Sequence, residues 1–213
     1  EKLGASWAPM GCQLCCAHNP VVPFVEKNRY AKRCPLTELS MQGVCDLINE
    51  GLISNIVWMS GAGISCSAGI PDFRTPGTGL YSKLARYRLP TPESMFDLEY
   101  FREHPEPFFD LARTLYPGKH RPTKTHFFLK LLQQRGLLLR TYTQNIDMLE
   151  RMAGIPSTHI VEAHGTWATA HCIECGEMED AGWVKTEICK HRKMPYCRYC
   201  EGLLKPDIVF FGE

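Results

Sequence analysis

No excess of charge of either sign runs through this 213-residue sequence: 24 Lys and Arg stand against 23 Asp and Glu, a formal net charge of +1. A protein that coats nucleic acid by neutralising phosphates carries a clear basic excess, so direct nucleic-acid binding is not expected. No apolar run approaches the ~20 residues needed to cross a bilayer, and no membrane span is expected. Internal repeats and low-complexity tracts are lacking, which sets aside solenoids and fibrous arrays. The composition, 44% hydrophobic and 22% charged, is too apolar for a disordered chain. A full internal set of disulfides is excluded by arithmetic, because the 11 cysteines are odd in number.

The cysteines that are present fall into two groups. Four form two Cys-x-x-Cys steps, Cys172/Cys175 and Cys197/Cys200, while Cys12, Cys15, Cys16, Cys34, Cys45, Cys66 and Cys189 are scattered. Scattered thiols beside paired steps point to a reducing compartment and a metal rather than a disulfide scaffold. An intracellular location is expected, with cytoplasm or nucleus favoured and the mitochondrion open. Four thiolates make a closed tetrahedral site, which is structural Zn2+ chemistry with no open catalytic position. His171, Cys189 and His191 are alternative ligands close by in sequence. Lys185, Lys190, Arg192 and Lys193 form a basic cluster on the same module, read as a solvated surface or a contact for an acidic partner.

The rest of the chain reads as an α/β domain. Residues 1–35, with Pro20, Pro23 and Pro35 and no periodicity, are expected to form a flexible arm. A helix is expected from Thr37, with Met41, Val44, Leu47 and Ile48 on one face and Gly51 as its stop. Strands are expected at 55–59, 137–142, 159–163 and 208–211, and a helix at 125–134 with Phe127, Phe128, Leu131 and Leu132 on one face. Prolines between 71 and 122 break the intervening chain into short helices, near 93–103 and 105–116. Strands alternating with helical crossovers imply a parallel, Rossmann-like sheet. The expected division is a Rossmann-like domain at 36–165 and 206–213, with a small zinc module inserted at 166–205.

The first strand runs into Ser60-Gly-Ala-Gly-Ile-Ser-Cys-Ser-Ala-Gly69. Glycines at 61 and 63 allow a tight turn and a close approach of backbone to phosphate. The dinucleotide fingerprint is incomplete, because Cys66 occupies its third glycine position and no acidic residue follows about 20 residues on. Two further polar clusters, Thr143-Gln-Asn-Ile-Asp147 and Val161-Glu-Ala-His-Gly165, stand at the carboxyl ends of the next two strands, where open parallel sheets bind ligands.

The motifs GAGIS, GIPDFR, TQNID and EAHG, followed by the four-cysteine module and KPDIVFFGE, resemble the sirtuin family of NAD-dependent protein deacylases over residues 36–213. PDFRTPGTGLY, HPEPFF, GLLLRTYTQNID and IVEAHG are similar to its eukaryotic deacetylase branch. The resemblance implies that NAD binds between a Rossmann domain and a zinc domain. Gly61, Ala62, Gly63 and Ser65 would face the phosphates. Asp72, Phe73, Arg74 and Tyr81 would lie on the cofactor side, with Phe73 shielding the nicotinamide end. Gln144 would bind the ribose, and Asn145, Ile146 and Asp147 would line the nicotinamide pocket. His164 would be the general base, with Asn145 beside it in the catalytic set. Val209, Phe210, Gly212 and Glu213 would hold an acetylated peptide as an added strand. The implied reaction moves acetyl from lysine to ADP-ribose and releases nicotinamide. Oligomeric state is left open.

Three departures accompany the resemblance. Met148 follows QNID where glycine or a small polar residue is usual, and Cys66 stands where Thr or Ser is usual. The chain resembles a sirtuin truncated after KPDIVFFGE, with roughly four strands where a doubly wound fold has about six. An incomplete second half and weak NAD binding are therefore expected, and the alternative function is an impaired isoform acting as a binding or regulatory module.

Overall fold

The computed structural model describes residues 40–72, 75, 77 and 79–213. The chain divides into two compact units, residues 1–49 and 50–213. In the first, helix α1 (Met41–Asn49) begins at Ser40, whose hydroxyl accepts the Gly43 N–H at 3.0 Å. Ser40 thus supplies the cap expected of Thr37, which, with the 1–35 arm, lies outside the described residues.

In the second unit, strand β1 (Ile56–Ser60) leads into two short 3-10 turns, Ala62–Ile64 and Cys66–Ala68. Proline then sets the rhythm. Pro92 opens the turn Pro92–Phe96, and Asp97 caps α2 (Leu98–Glu103) by accepting the Tyr100 N–H at 2.8 Å. Pro105 precedes α3 (Glu106–Leu115). Helix α4 (Lys124–Gln134) starts with a reciprocal cap between Thr123 and His126. Strand β2 (Leu138–Thr143), the short α5 (Leu149–Met152) and β3 (Ile160–Glu162) follow. Strands β1, β2 and β3 make a parallel sheet in that order. The next strands, β4 (Gly165–Cys172), β5 (Met178–Glu179) and β6 (Leu204–Ile208), form a separate antiparallel sheet in the order β5-β4-β6, with α6 (Ala181–Lys185) before a π turn at Thr186–His191.

The structure departs from the sequence pattern at two elements. The fourth strand is not at 208–211 in the parallel sheet. It runs over Leu204–Ile208 and pairs with β4, so the chain leaves the parallel sheet after β3. Helix α4 is also rotated from its expected face. His126, Leu129 and Leu132 point inward, while Phe127 is 54% exposed and Phe128 and Leu131 are also exposed. Apolar residues stand all round this helix, so its pattern alone does not choose the buried side.

Two apolar clusters hold the unit together. The smaller packs Leu129 and Leu132 of α4 against Leu138 of β2, Ile155 and Ile160. The larger joins Phe96, Phe101, Phe108 and Phe109 to Trp167, Leu204, Ile208 and Phe210 of the antiparallel lobe. Phe108 and Phe210 meet edge to face with centroids 5.0 Å apart. Burying each such ring stabilises by about 1.5–3 kcal/mol, with roughly 0.5–1.5 kcal/mol more for a well-placed aromatic pair. The lobe is therefore welded to α2 and α3 by aromatic packing. In contrast, among the described residues the parallel sheet carries exposed apolar side chains. Val57 is 53% and Met59 77% exposed on its edge strand β1, and Leu139 and Tyr142 are exposed on β2.

Candidate active site and metal centre

The parallel sheet delivers three polar segments to one end. From β1, Ser60 passes into Gly61 in extended backbone (φ −134°, ψ −166°), and the carbonyl of Ser60 accepts the Gln144 N–H at 3.0 Å. From β2, Thr143 runs into Gln144-Asn145, and the Asn145 side chain donates to the Gly61 carbonyl at 3.0 Å. The Asn145 backbone N–H donates to the Thr143 hydroxyl oxygen at 3.1 Å. From β3, Ala163 N–H reaches the Thr143 carbonyl at 2.9 Å, and His164 follows. Ser65, buried, donates to Asp147 Oδ2 at 2.6 Å, which ties the glycine-rich turn to the 145–147 segment. Gly61, Ala62, Ser65, Gln144, Asn145, Asp147 and His164 are thus joined by a continuous set of hydrogen bonds and adjacent backbone. Gly63 is exposed and has open space where a side chain would stand. Ile146 turns away to pack against the larger apolar cluster.

His164 and Gln144 are the exposed members of this set, and His164 brings the titratable ring. Its Nδ1 lies 2.7 Å from the Gln144 carbonyl, an obligate acceptor, so Nδ1 carries the hydrogen. Nε2 then holds the lone pair and can take a proton. The His164 carbonyl accepts the Val209 N–H at 3.0 Å. Gly165 is fixed by the same approach: it has φ 81°, and a Cβ there would lie 1.9 Å from the Asp207 carbonyl oxygen. Only glycine lets the end of β6 press this closely behind the histidine.

On the loop after Ile70, Asp72 accepts the Thr75 N–H at 3.0 Å and its carbonyl accepts the Leu80 N–H at 2.8 Å, folding the loop back. Phe73 and Arg74, and the side chain of Tyr81, lie outside the described residues. Of the four residues expected to hold peptide, Val209 is exposed, Gly212 has φ 91°, Phe210 is buried in the aromatic cluster, and Glu213 is engaged within the chain. The segment is a β-bridge at Phe211 with Asp97 and not an extended strand.

Sequence reasoning missed a buried group beneath the turn. Glu150, 2% exposed, accepts from the Ser60 hydroxyl at 3.4 Å, and His126 is fully buried. A ligand atom of His126 lies within 4.8 Å of carboxylate oxygens of Asp147 and Glu150. Burial raises the Glu150 pKa and lowers that of His126, so both shifts favour uncharged forms. A carboxyl whose proton affinity rises on folding stabilises most below its ordinary value of about 4.3, and that contribution is lost as pH rises through the raised value. Glu150→Gln, which stays neutral, is therefore expected to unfold roughly 2–4 °C higher on the alkaline side, about 1 kcal/mol at this size, with the gain vanishing toward pH 4. Thermal melts across pH check this, and a gain that grows on acidification contradicts it.

The four cysteines meet as their spacing predicts. Cys172 and Cys200 sulfurs are 3.4 Å apart, those of Cys175 and Cys197 3.7 Å apart, and all four lie within 4.8 Å of one another. Tetrahedral zinc with Zn–S bonds of about 2.3 Å places sulfurs about 3.8 Å apart, so the set fits Zn2+. The two turns are built alike. Glu174 N–H points at Cys172 Sγ and Tyr199 N–H at Cys197 Sγ, each at 3.4 Å. Each turn closes on a left-handed residue, Gly176 at φ 71° and Glu201 at φ 61°. Burial raises the Cys172 thiol, but the Cys175 and Glu174 amides outweigh it and hold it at about 7. The Gly202 amide lowers Cys200, yet its thiol neighbours Cys175 and Cys172 raise it to about 12. One thiolate forms readily at Cys172, and crowding resists those of Cys175 and Cys200, a charge pattern that a dication resolves. The alternative ligands are occupied elsewhere: His171 Nδ1 pairs with Asp207 and His191 with Glu187, each at 2.8 Å, and Cys189 packs against the larger cluster. A Cβ on Gly202 would come 2.9 Å from Cys172 Sγ, so that position needs glycine. Glu201 has no such constraint. Glu201→Gly, removing left-handed strain of roughly 1 kcal/mol, is expected to raise Tm by about 2–4 °C in a thermal melt; an unchanged Tm contradicts this.

A groove of about 560 Å3 lies between α3 and residues 192–196, lined by Phe109, Arg113, Arg192, Lys193 and Met194 among others. It takes in two members of the expected basic cluster and none of the expected cofactor residues. No helix among the described residues is long and apolar enough to cross a membrane.

Comparison with known proteins agrees with this geometry. Residues 61–213 match the model of the Sir2 family. The chain is 53% identical over 180 residues to NAD-dependent protein deacetylase sirtuin-2 of Danio rerio, covering 84% of this chain and 47% of that protein. It is 49% identical over 191 residues to NAD-dependent deacetylase sir2A of Dictyostelium discoideum, covering 88% and 37%. It is 51% identical over 176 residues to NAD-dependent protein deacetylase sirtuin-3 of Mus musculus, covering 83% and 52%. The chain thus spans about half the length, or less, of these curated relatives.

Proposed function

Since the chain belongs to the Sir2 family, we propose that its protein is an NAD-dependent protein-lysine deacetylase, transferring acetyl from an acetylated protein or peptide to ADP-ribose with release of nicotinamide. The observation that carries this reading is His164, with Nδ1–H held by the Gln144 carbonyl and Nε2 left open beside the Gly61–Ser65–Asn145–Asp147 network. NAD would supply the ribose carbon from which nicotinamide departs and to which the acetyl oxygen bonds. Gly61, Ala62 and Gly63 would approach the phosphates, with Gly63 offering backbone free of side chain. Gln144, whose side chain projects from the end of β2, would meet the ribose. Asn145 and Asp147, pre-oriented by Gly61 and Ser65, would present amide and carboxylate to the nicotinamide carboxamide. His164 Nε2 would accept the proton of a ribose hydroxyl, a role suited to an imidazole lone pair. Phe73, Arg74 and Tyr81 join the proposal from sequence. The Cys172, Cys175, Cys197 and Cys200 centre would bind Zn2+ and hold β4 and β6 behind His164. An intracellular setting suits the free thiols.

Nicotinamide release from NAD that requires an acetyl-lysine peptide tests the reading; release at the same rate without peptide overturns it. A second reading is a binding or regulatory module with impaired activity, for which the exposed apolar Val57 and Met59 of β1 would offer a partner surface. Peptide binding without nicotinamide release would select it.

A further inference from the structure

Lys205 is a charged residue in a place where charge is expensive. It is 5% exposed, on β6, in a lobe otherwise filled by Trp167, Leu204, Ile208 and Phe210. Burying an ammonium without partners costs several kcal/mol, and an apolar side chain of similar length would fill the space as well. Its partners account for its presence. Nζ donates to the Ile208 carbonyl at 2.7 Å and approaches the Pro206 carbonyl at 3.4 Å. It pairs with Glu213 Oε1 at 2.8 Å and stands 4.5 Å from the centroid of the Phe210 ring. The other oxygen of Glu213 accepts the Phe210 N–H at 2.9 Å. One ammonium and one carboxylate thus close a loop over residues 208–213 from both ends.

That loop also touches the candidate base. Val209 N–H donates to the His164 carbonyl, Phe211 N–H donates to the Phe96 carbonyl, and the Phe211 carbonyl accepts the Leu98 N–H. Phe210 points inward, so Val209 and Phe211 turn their side chains outward. The path of residues 209–212 is therefore set by three main-chain bonds to fixed elements and by the Lys205–Glu213 pair.

We propose that Lys205 is a positioning residue for the substrate peptide: its buried ammonium fixes the Ile208 carbonyl and the Glu213 carboxylate, and so holds the 209–212 main chain where an acetylated peptide would align beside His164. This rests on the deacetylase reading above. Lys205 touches neither peptide nor NAD, and its effect passes through the loop.

The test compares Lys205→Met, which keeps length and removes charge, with Lys205→Arg, which keeps charge. A fluorescein-labelled acetyl-lysine peptide is followed by anisotropy, NAD by calorimetry, and the 208–213 amides by hydrogen exchange. Lys205→Met is expected to weaken the peptide about tenfold, the effect of losing one charge-assisted contact, while NAD affinity stays within about twofold. Lys205→Arg is expected to recover peptide affinity to within about threefold, and the Val209 and Phe210 amides are expected to exchange at least about tenfold faster in Lys205→Met alone. Unchanged peptide affinity in Lys205→Met, or an equal loss for NAD, overturns the proposal. If wild type binds no acetylated peptide, the deacetylase reading fails and the positioning role fails with it. Unchanged exchange in Lys205→Met, by contrast, refutes the anchor alone and leaves that reading standing.

Discussion

Removing the metal, by a chelator or by Cys175→Ser, is expected to melt the 165–208 lobe at 25 °C. The expected size follows from two magnitudes. Structural zinc contributes about 10–16 kcal/mol to folding at neutral pH, and a whole domain holds only about 5–15 kcal/mol in reserve. Packing cannot make up the difference here. The lobe contributes Trp167, Ala170, Val184, Ile188, Leu204 and Ile208 to a cluster that also contains Phe96, Phe101 and Phe108, so loss of the lobe strips one side of those rings. Near-ultraviolet circular dichroism, which reports the packed Trp167, should collapse on chelation and recover with Zn2+. Hydrogen exchange should rise across β4 and β6 before it rises in β2. A Tm unmoved by chelator, with metal loss confirmed by elemental analysis, would show that the cysteines are not the clasp.

His164→Ala is expected to lower acetyl-peptide-dependent nicotinamide release by about 10²–10⁴-fold, the usual contribution of a placed general base. Stability should barely change. His164 is exposed, and among the described residues its side chain makes a single hydrogen bond, to the Gln144 carbonyl. Its backbone duties, accepting Val209 N–H and leading into Gly165, survive the substitution. A variant that loses activity and Tm together would point to a structural role. A variant that keeps its rate would remove His164 from the chemistry.

What the sequence could disclose was mainly what is local. The Cys-x-x-Cys steps were legible because a two-residue spacer and the turn it forms place both sulfurs on one ion. The strand-end clusters were legible because β1, β2 and β3 are short apolar runs that stop in glycine or polar residues. The rotation of α4 was not, since Phe127, Phe128 and Leu131 are as apolar as Leu129 and only the parallel sheet decides which side is covered. The last strand was misplaced because Leu204-Lys-Pro-Asp-Ile208 reads as polar and broken. Lys205 becomes a core residue only once Glu213 and the Ile208 carbonyl are brought to it. Met148 shows the opposite case. Its departure from the usual small residue was visible in sequence, and its φ of 62° supplies the reason small residues suit that position. Glu150 gave no local sign at all, because Ser60, which donates to it, and His126, which lies near it, are distant in sequence.

In the proposed reaction, NAD and acetylated peptide meet at the ends of β2 and β3. Nitrogen-15 labelling of the histidine rings reads this most directly. The His164 ring signals should shift on addition of NAD and shift again with an acetyl-lysine peptide, while those of His191, paired with Glu187 on the zinc lobe, stay in place. Saturating both ligands while the His164 signals do not move would place the cleft elsewhere on the molecule.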